Sequence, residues 1–265
     1  MATAKIDDLQ MHYQVMGEGQ PLVLIMGLAG TADWWGRAVL RPLARYFRLL
    51  IFDNRDAGRT TGPSTPYSIA DMADDTARLM DHVGMTRAHV VGMSMGGMIA
   101  QELALRHPGQ VDRLILGCTT PGFQTGVSPS SEVLGVMTAD YRSGPRLRMV
   151  RDFARVTLAP GWLASHFYRI PGLIAMMLRN PVRPAAYSRQ MAAIGVFDAG
   201  ERLARIKAPT LVVHGDRDVL LPPENGRILA RLIPGAKLVI FPGVAHGLNV
   251  ENPRLFVSTV RDFLL

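Results

Sequence analysis

An α/β fold is what this sequence predicts: a mostly parallel central sheet with helices on both faces, and a helical cap inserted late in the chain. Three observations lead there. Short apolar runs alternate with helix-like segments up to about residue 118 and again from residue 209. Those runs are rich in Val, Leu and Ile, as strands buried on both faces are. Between them, residues 121–204 show no strand pattern but several helical apolar repeats, including Val150/Phe153/Val156 and Ile174/Met177/Leu178. The core is therefore assigned to residues 1–120 and 206–265 and the cap to residues 121–205, sizes that fit one large domain with an insertion.

The elements follow in order. Residues 9–15 alternate as an opening strand, and Gly17-Glu18-Gly19-Gln20-Pro21 is a turn. Residues 22–26 form a continuous apolar strand, followed by the loop Gly27-Leu28-Ala29-Gly30. A helix over 37–46 leads to a strand over 48–52 and then a polar, Gly-rich loop over 53–65. The helix over 68–83 has Ser68 as its cap, acids in its early turns and Gly84 at its end. Residues 87–91 read as a buried strand, and Met98, Ile99, Leu103 and Leu105 recur at helical spacing until His107-Pro108-Gly109. A strand over 114–118 precedes the cap. Strands over 209–214 and 237–241 and a final helix over 253–265 close the chain.

The turn between the strand ending near Val91 and its helix reads Gly92-Met93-Ser94-Met95-Gly96-Gly97. A serine hydroxyl is a poor nucleophile unless the backbone presents it and a base takes its proton. A sharp strand-to-helix turn does the presenting, and glycines two residues before and after make room for it. By chance roughly one chain in ten of this length holds such a pattern, so the flanking strand and helix carry the weight.

A nucleophilic Ser94 needs a base and a carboxylate to orient it, both in loops at the C-terminal edge of the sheet. Asp218 lies in the loop after the strand ending at His214, and His246 in the loop after the strand ending at Phe241. Asp216, nearer its strand, suits turn capping through its own backbone. Histidines 12, 82, 89, 107 and 166 fall in elements where packing or surface roles suffice, and His214 ends an apolar strand as a buried residue. Two backbone N–H groups should face the developing oxyanion. Met95, at a helix N-terminus, supplies one, and Leu28, between Gly27 and Gly30, the other. Met26, Trp34, Met93, Trp162, Phe167 and Tyr168 are the candidates for an apolar, pliable substrate pocket.

Composition narrows the functions. The formal charge is +7, and residues 121–205 hold eleven arginines against five acids. Basic and aromatic residues are not interleaved there, which reads as a solvated helical face and argues against a nucleic-acid partner. No apolar run reaches the roughly 18 residues that cross a bilayer, and residues 1–10 lack the apolar stretch of a signal peptide. Cys118 is the single cysteine, which rules out an internal disulfide or a cysteine metal cluster and suits a reducing cytoplasm. Neither cofactor nor metal is expected. The expected partner is a small-molecule ester or lactone.

Taken together, several segments resemble the α/β-hydrolase superfamily over nearly the whole chain. They are the elbow around Ser94, the loop Asp53-Asn54-Arg55-Asp56-Ala57-Gly58-Arg59-Thr60, Ala208-Pro209-Thr210 leading into His214-Gly215-Asp216-Arg217-Asp218, and Gly243-Val244-Ala245-His246. Within it the chain is similar to capped bacterial esterases and lactonases, including polyketide methyl esterases and enol-lactonases. The resemblance implies ester or lactone hydrolysis through an acyl-enzyme on Ser94. Two departures stand out. Met26-Gly27 replaces the His-Gly of many relatives, and Asp56 takes a glycine position in the loop, as in methyl-esterase relatives, where it reads as structural. A serine nucleophile argues against the aspartate-dependent dehalogenases and epoxide hydrolases of the fold. C–C bond hydrolases typically carry Asn where Met93 stands, and cofactor-free perhydrolases share the triad. Both remain alternatives within this fold, as does a non-catalytic ligand-binding protein outside enzyme chemistry.

Overall fold

The computed structural model describes residues 2–139 and 146–265; Asp140 and Arg142 of the charged segment fall outside them. Eight strands form one sheet in the order β1-β2-β4-β3-β5-β6-β7-β8. They are β1 (Ala2–Ile6), β2 (Leu9–Met16), β3 (Gln20–Ile25), β4 (Phe47–Phe52), β5 (Ala88–Met93), β6 (Val111–Gly117), β7 (Thr210–Gly215) and β8 (Lys237–Phe241). β2 pairs antiparallel with both neighbours, and every other pairing is parallel. All residues of β5 and β7 are buried, which is why those segments read as unbroken apolar runs.

Helices α1 (Arg37–Leu43), α2 (Ile69–His82) and α3 (Met95–Arg106) lie in the first half of the chain. Between β6 and β7 come α4 (Ser131–Met137), α5 (Arg146–Thr157), α6 (Trp162–Ser165), α7 (Ile170–Arg179) and α8 (Pro184–Gly195). Helices α9 (Glu224–Leu232), α10 (Leu248–Glu251) and α11 (Pro253–Leu264) follow. One apolar cluster joins α1 and α11 to one face of the sheet, with Trp35 stacked on Phe256 at 6.1 Å. A second joins α2, α3 and α9 to the other face. Each fully buried side chain of this size contributes about 1.5–3 kcal/mol. Among the described residues, no helix is long and apolar enough to cross a membrane.

Several elements differ from the sequence expectation. The edge strand β1 precedes the expected opening strand and joins it through a tight turn in which Asp7 has φ 50°. Helix α9 occupies a stretch for which no element was expected. Helix α1 stops at Leu43, one residue past Pro42, and the chain turns through 44–46 before β4. The boundaries of α2 match closely: Ser68 accepts from the Asp71 N–H, and the Asp71 carboxylate accepts from the Ser68 N–H in return.

Parallel register fixes where the loops emerge. Ile25 pairs with Gly92, Met93 with Gly117, and Gly215 with Phe241. The loops after β3, β5, β7 and β8 therefore leave the same edge of the sheet, the edge at which open α/β sheets build their sites.

Candidate active site

Ser94 lies between β5 and α3 with φ 57° and ψ −123°, a region L-residues rarely enter. Its backbone is tied on several sides. The Ser94 N–H donates to Gly117 O at 2.9 Å, while its carbonyl accepts from the Gly97 N–H at 2.8 Å and from Thr119 Oγ1 at 2.7 Å. The flanking glycines are a steric necessity: a Cβ at Gly96 would run into the Ile25 carbonyl, and one at Gly92 into the Gly96 carbonyl. A serine at a helix start ordinarily caps the helix with its hydroxyl. Ser94 makes no such bond, and among the described residues its Oγ has no hydrogen-bond partner. The turn leaves the hydroxyl uncommitted.

Asp218 and His246 meet at the same edge of the sheet. His246 Nδ1 donates to Asp218 Oδ2 at 2.8 Å, with Asp218 3% and His246 8% exposed. Since Nδ1 donates to a carboxylate, the neutral ring leaves Nε2 as its acceptor. The other Asp218 oxygen accepts from the N–H groups of Leu220 and Leu221, each at 2.9 Å. Buried His214 donates from Nε2 to Leu221 O at 2.8 Å and lies 3.3 Å from Asp218 Oδ2. Burial alone would raise the Asp218 carboxyl, but the His246 charge and hydrogen bonds from His214 and His246 hold it well below the usual carboxylate range. Asp216 is not part of this group; its carboxylate accepts from the Gly243 N–H at 2.7 Å and pins the β8 turn.

The histidine loop is clamped from beneath. Glu251 accepts from the N–H groups of Ala245 and Ala159, each at 3.0 Å. It thereby ties the loop to the chain between α5 and α6. Burial raises its carboxyl, although N–H donors from Ala159, Ala245 and Gly247 pull the other way.

Leu28 and Met95 line the same cavity as Ser94, and among the described residues neither backbone N–H has a hydrogen-bond partner. Gly27 lets the β3 loop come close: a Cβ there would lie 2.9 Å from Ser94 Cβ. The loop is held from two directions. Asn54 Nδ2 donates to Met26 O at 2.8 Å. Gln190 of α8, fully buried, accepts from the Ala29 N–H at 2.9 Å and donates to Arg55 O at 2.8 Å. Next to it, Arg189 grips Asp56 through two bonds of 2.6 and 2.7 Å. Asp56 also accepts from Tyr67 Oη at 3.0 Å, so the loop aspartate is an anchor for α8. Gln190→Leu leaves an amide and a carbonyl buried without partners, each costing about 1–3 kcal/mol. Thermal unfolding should show it, at roughly 2–4 °C in Tm per kcal/mol.

Ser94, His246, Leu28 and Met95 all line one cavity of about 370 Å³. Met26, Trp34 and Met93 line it too. Trp162, Phe167 and Tyr168 do not, and that expectation is corrected. Trp162 packs with Ala159 and Ala245, its ring stacked on His166 at 4.5 Å. Phe167 and Tyr168 are 70% and 67% exposed. They fall on a 3₁₀ turn after the four-residue α6, where no helical period tells the inward face from the outward. Walls from α7 and α8, including Ile174, Met177, Met191 and Ile194, take their place.

Gln190, Asn54, His214 and Glu251 escaped the sequence reading. Gln190 and Asn54 bind backbone atoms up to 161 residues away, and nothing local marks such a contact. His214 was legible as buried but not as a neighbour of Asp218. Cys118, His214 and Asp218 present possible metal ligands within 4.8 Å of one another. Burial pushes the Cys118 thiol well above its ordinary value, Asp218 is already taken up by three donors, and the donor set suits packing rather than metal binding.

A mostly parallel eight-stranded sheet carrying a serine at a strand-to-helix turn defines a class, and the chain belongs to it: it is a member of the alpha/beta hydrolase fold family, whose model matches residues 20–167. It is a hydrolase of that family. Over its full length it is 30% identical to a Caulobacter sp. (strain K31) protein named "Putative carbamate hydrolase RutD", covering 98% of that protein. Among solved structures it is similar to the enol-lactonase from Burkholderia xenovorans LB400, with TM-score 0.86, 26% identity and 99% of each chain covered. It is also similar to the esterase RhEst1 from Rhodococcus sp. ECU1013, with TM-score 0.83, 28% identity and 99% and 97% covered.

Proposed function

We propose that this hydrolase cleaves a carboxylic ester or lactone through an acyl-enzyme on Ser94. The observation that carries the reading is one cavity holding a serine hydroxyl and two N–H groups that have no partner among the described residues, together with a histidine tied to a buried carboxylate. His246 Nε2 takes the Ser94 proton as Oγ attacks the carbonyl carbon. Asp218 keeps the proton of His246 on Nδ1 and stabilises the imidazolium. The Leu28 and Met95 N–H groups hold the tetrahedral oxyanion, with the N-terminus of α3 adding its dipole. His246 then returns the proton to the leaving alcohol, and a water activated by the same imidazole releases the acid. The described residues of 121–205 serve as a cap over the site, latched to the Leu28 loop by Gln190 and to Asp56 of the 53–60 loop by Arg189.

The similarity to a protein named for carbamate hydrolysis makes carbamate cleavage the second reading, since the same attack then meets an acyl carbon bearing nitrogen. An alkyl fluorophosphonate tests the nucleophile: one equivalent should label wild-type protein and none the Ser94→Ala variant. Parallel rates on p-nitrophenyl esters, aliphatic lactones and phenyl carbamates rank the substrates. Protein that resists the phosphonate and turns over no acyl compound is not a serine hydrolase.

A further inference from the structure

Taking Ser94 as the acyl acceptor, the geometry points to an uncharged substrate with an extended apolar chain and no carboxylate near its scissile carbonyl. This rests on the ester or lactone reading above and goes beyond it by naming the substrate class. The volume, about 370 Å³, lies within the range of small-molecule sites.

The wall decides what can fill that volume. Apart from His246, Arg151 is the one lining residue with an ionisable side chain among the described residues. Its side chain is 74% exposed, and its guanidinium pairs with Asp152 at 2.9 Å, so it turns outward. Two further polar lining residues are engaged with backbone: Thr157 Oγ1 donates to Phe153 O at 2.8 Å, and Asn249 Nδ2 to Trp34 O at 2.9 Å. Among the described residues, no cation faces the interior to meet a substrate anion. A carboxylate entering this space loses its hydration with nothing to replace it, whereas each methylene moved from water gains about fourfold in binding.

The same wall is deformable. Among the described residues, eight methionines line it. Thioether side chains have three rotatable bonds and fill irregular gaps, so they adapt to chains of differing length and branching. The polar end is fixed at Ser94 and the Leu28 and Met95 amides, and the apolar space runs toward Ile174 and Met177 of α7 and Met191 and Ile194 of α8. The chain of the substrate lies along that path.

The test uses the intact protein and kcat/KM on p-nitrophenyl acetate, butanoate, hexanoate and octanoate, with δ-valerolactone and δ-decalactone as the lactone pair. Rates should climb about fourfold per added methylene until the cavity is full, and the decalactone should outrun the valerolactone. Mono-p-nitrophenyl adipate, a hexanoate analogue ending in a carboxylate, should be slower than the hexanoate by on the order of 100-fold. Met177→Trp, which narrows the far end, should lower the octanoate-to-acetate ratio. A flat or falling chain-length series, or equal rates for adipate and hexanoate, overturns the proposal while leaving the serine hydrolase reading standing. Absence of turnover on every substrate together with failed phosphonate labelling overturns that reading and this one with it.

Discussion

Ser94→Ala is expected to lower ester turnover by about six orders of magnitude, the loss seen when the nucleophile of a serine hydrolase of another fold is removed, while the protein stays folded. The hydroxyl does not cap α3 and has no hydrogen-bond partner among the described residues. The contacts that hold the turn are made by the Ser94 N–H and carbonyl, and alanine keeps both. The backbone adds a second expectation. Serine at φ 57° and ψ −123° stores strain of about 1–3 kcal/mol, which glycine would release at an entropic cost of roughly 0.5–1 kcal/mol. Ser94→Gly should therefore be as inactive as Ser94→Ala but melt a few degrees higher than wild type. Calorimetry beside single-turnover kinetics separates the two effects. Substantial turnover by either variant refutes the nucleophile assignment, and a lower Tm for the glycine variant refutes the stored strain.

How far the sequence speaks for itself depends on the range of the interaction. Buried parallel strands announce themselves as apolar runs, and the residue following each run lands at the C-terminal edge of the sheet. Ser94, Asp218 and His246 were legible for that reason: each follows such a run, and parallel register carries all three to one edge. The choice of Asp218 over Asp216 rested on distance from the strand end, and only Asp218 contacts His246. Edge strand β1, just five residues long, gave too short a pattern to recognise. In the helices between β6 and β7 the local pattern names helices but not which face meets the cavity. Trp162, Phe167 and Tyr168 were accordingly placed in the cavity, where α7 and α8 supply the wall instead. The loop anchors were hidden for another reason. Arg189 and Asp56 lie 133 positions apart, and a salt bridge of that span exists only once the chain has folded.

Asp218→Asn should cost about four orders of magnitude in kcat, as the equivalent change does in a serine protease of unrelated fold, and the hydrogen bonds say why. The Asp218 carboxylate receives three donors, the Leu220 and Leu221 N–H groups and His246 Nδ1, and His214 Nε2 lies 3.3 Å from it. Asparagine can keep its oxygen on the two amides, but it then aims an NH₂ at both imidazoles. His246 must accept at Nδ1 and move its proton to Nε2, where it can no longer take one from Ser94. His214 cannot follow, because its Nε2 proton is held by Leu221 O. The substitution also changes the acid limb of stability. The folded carboxyl titrates well below its unfolded value of about 4. Its contribution is thus present above about pH 4 and is lost as pH falls from there through the folded value. Wild-type protein should lose stability across that acid window, and Asp218→Asn, with no proton to take up at this position, should show a shallower decline. Urea unfolding at several pH values measures the slope. Parallel acid limbs for the two proteins, or near-normal kcat in the variant, would mean that the buried carboxylate neither holds its charge nor orients His246.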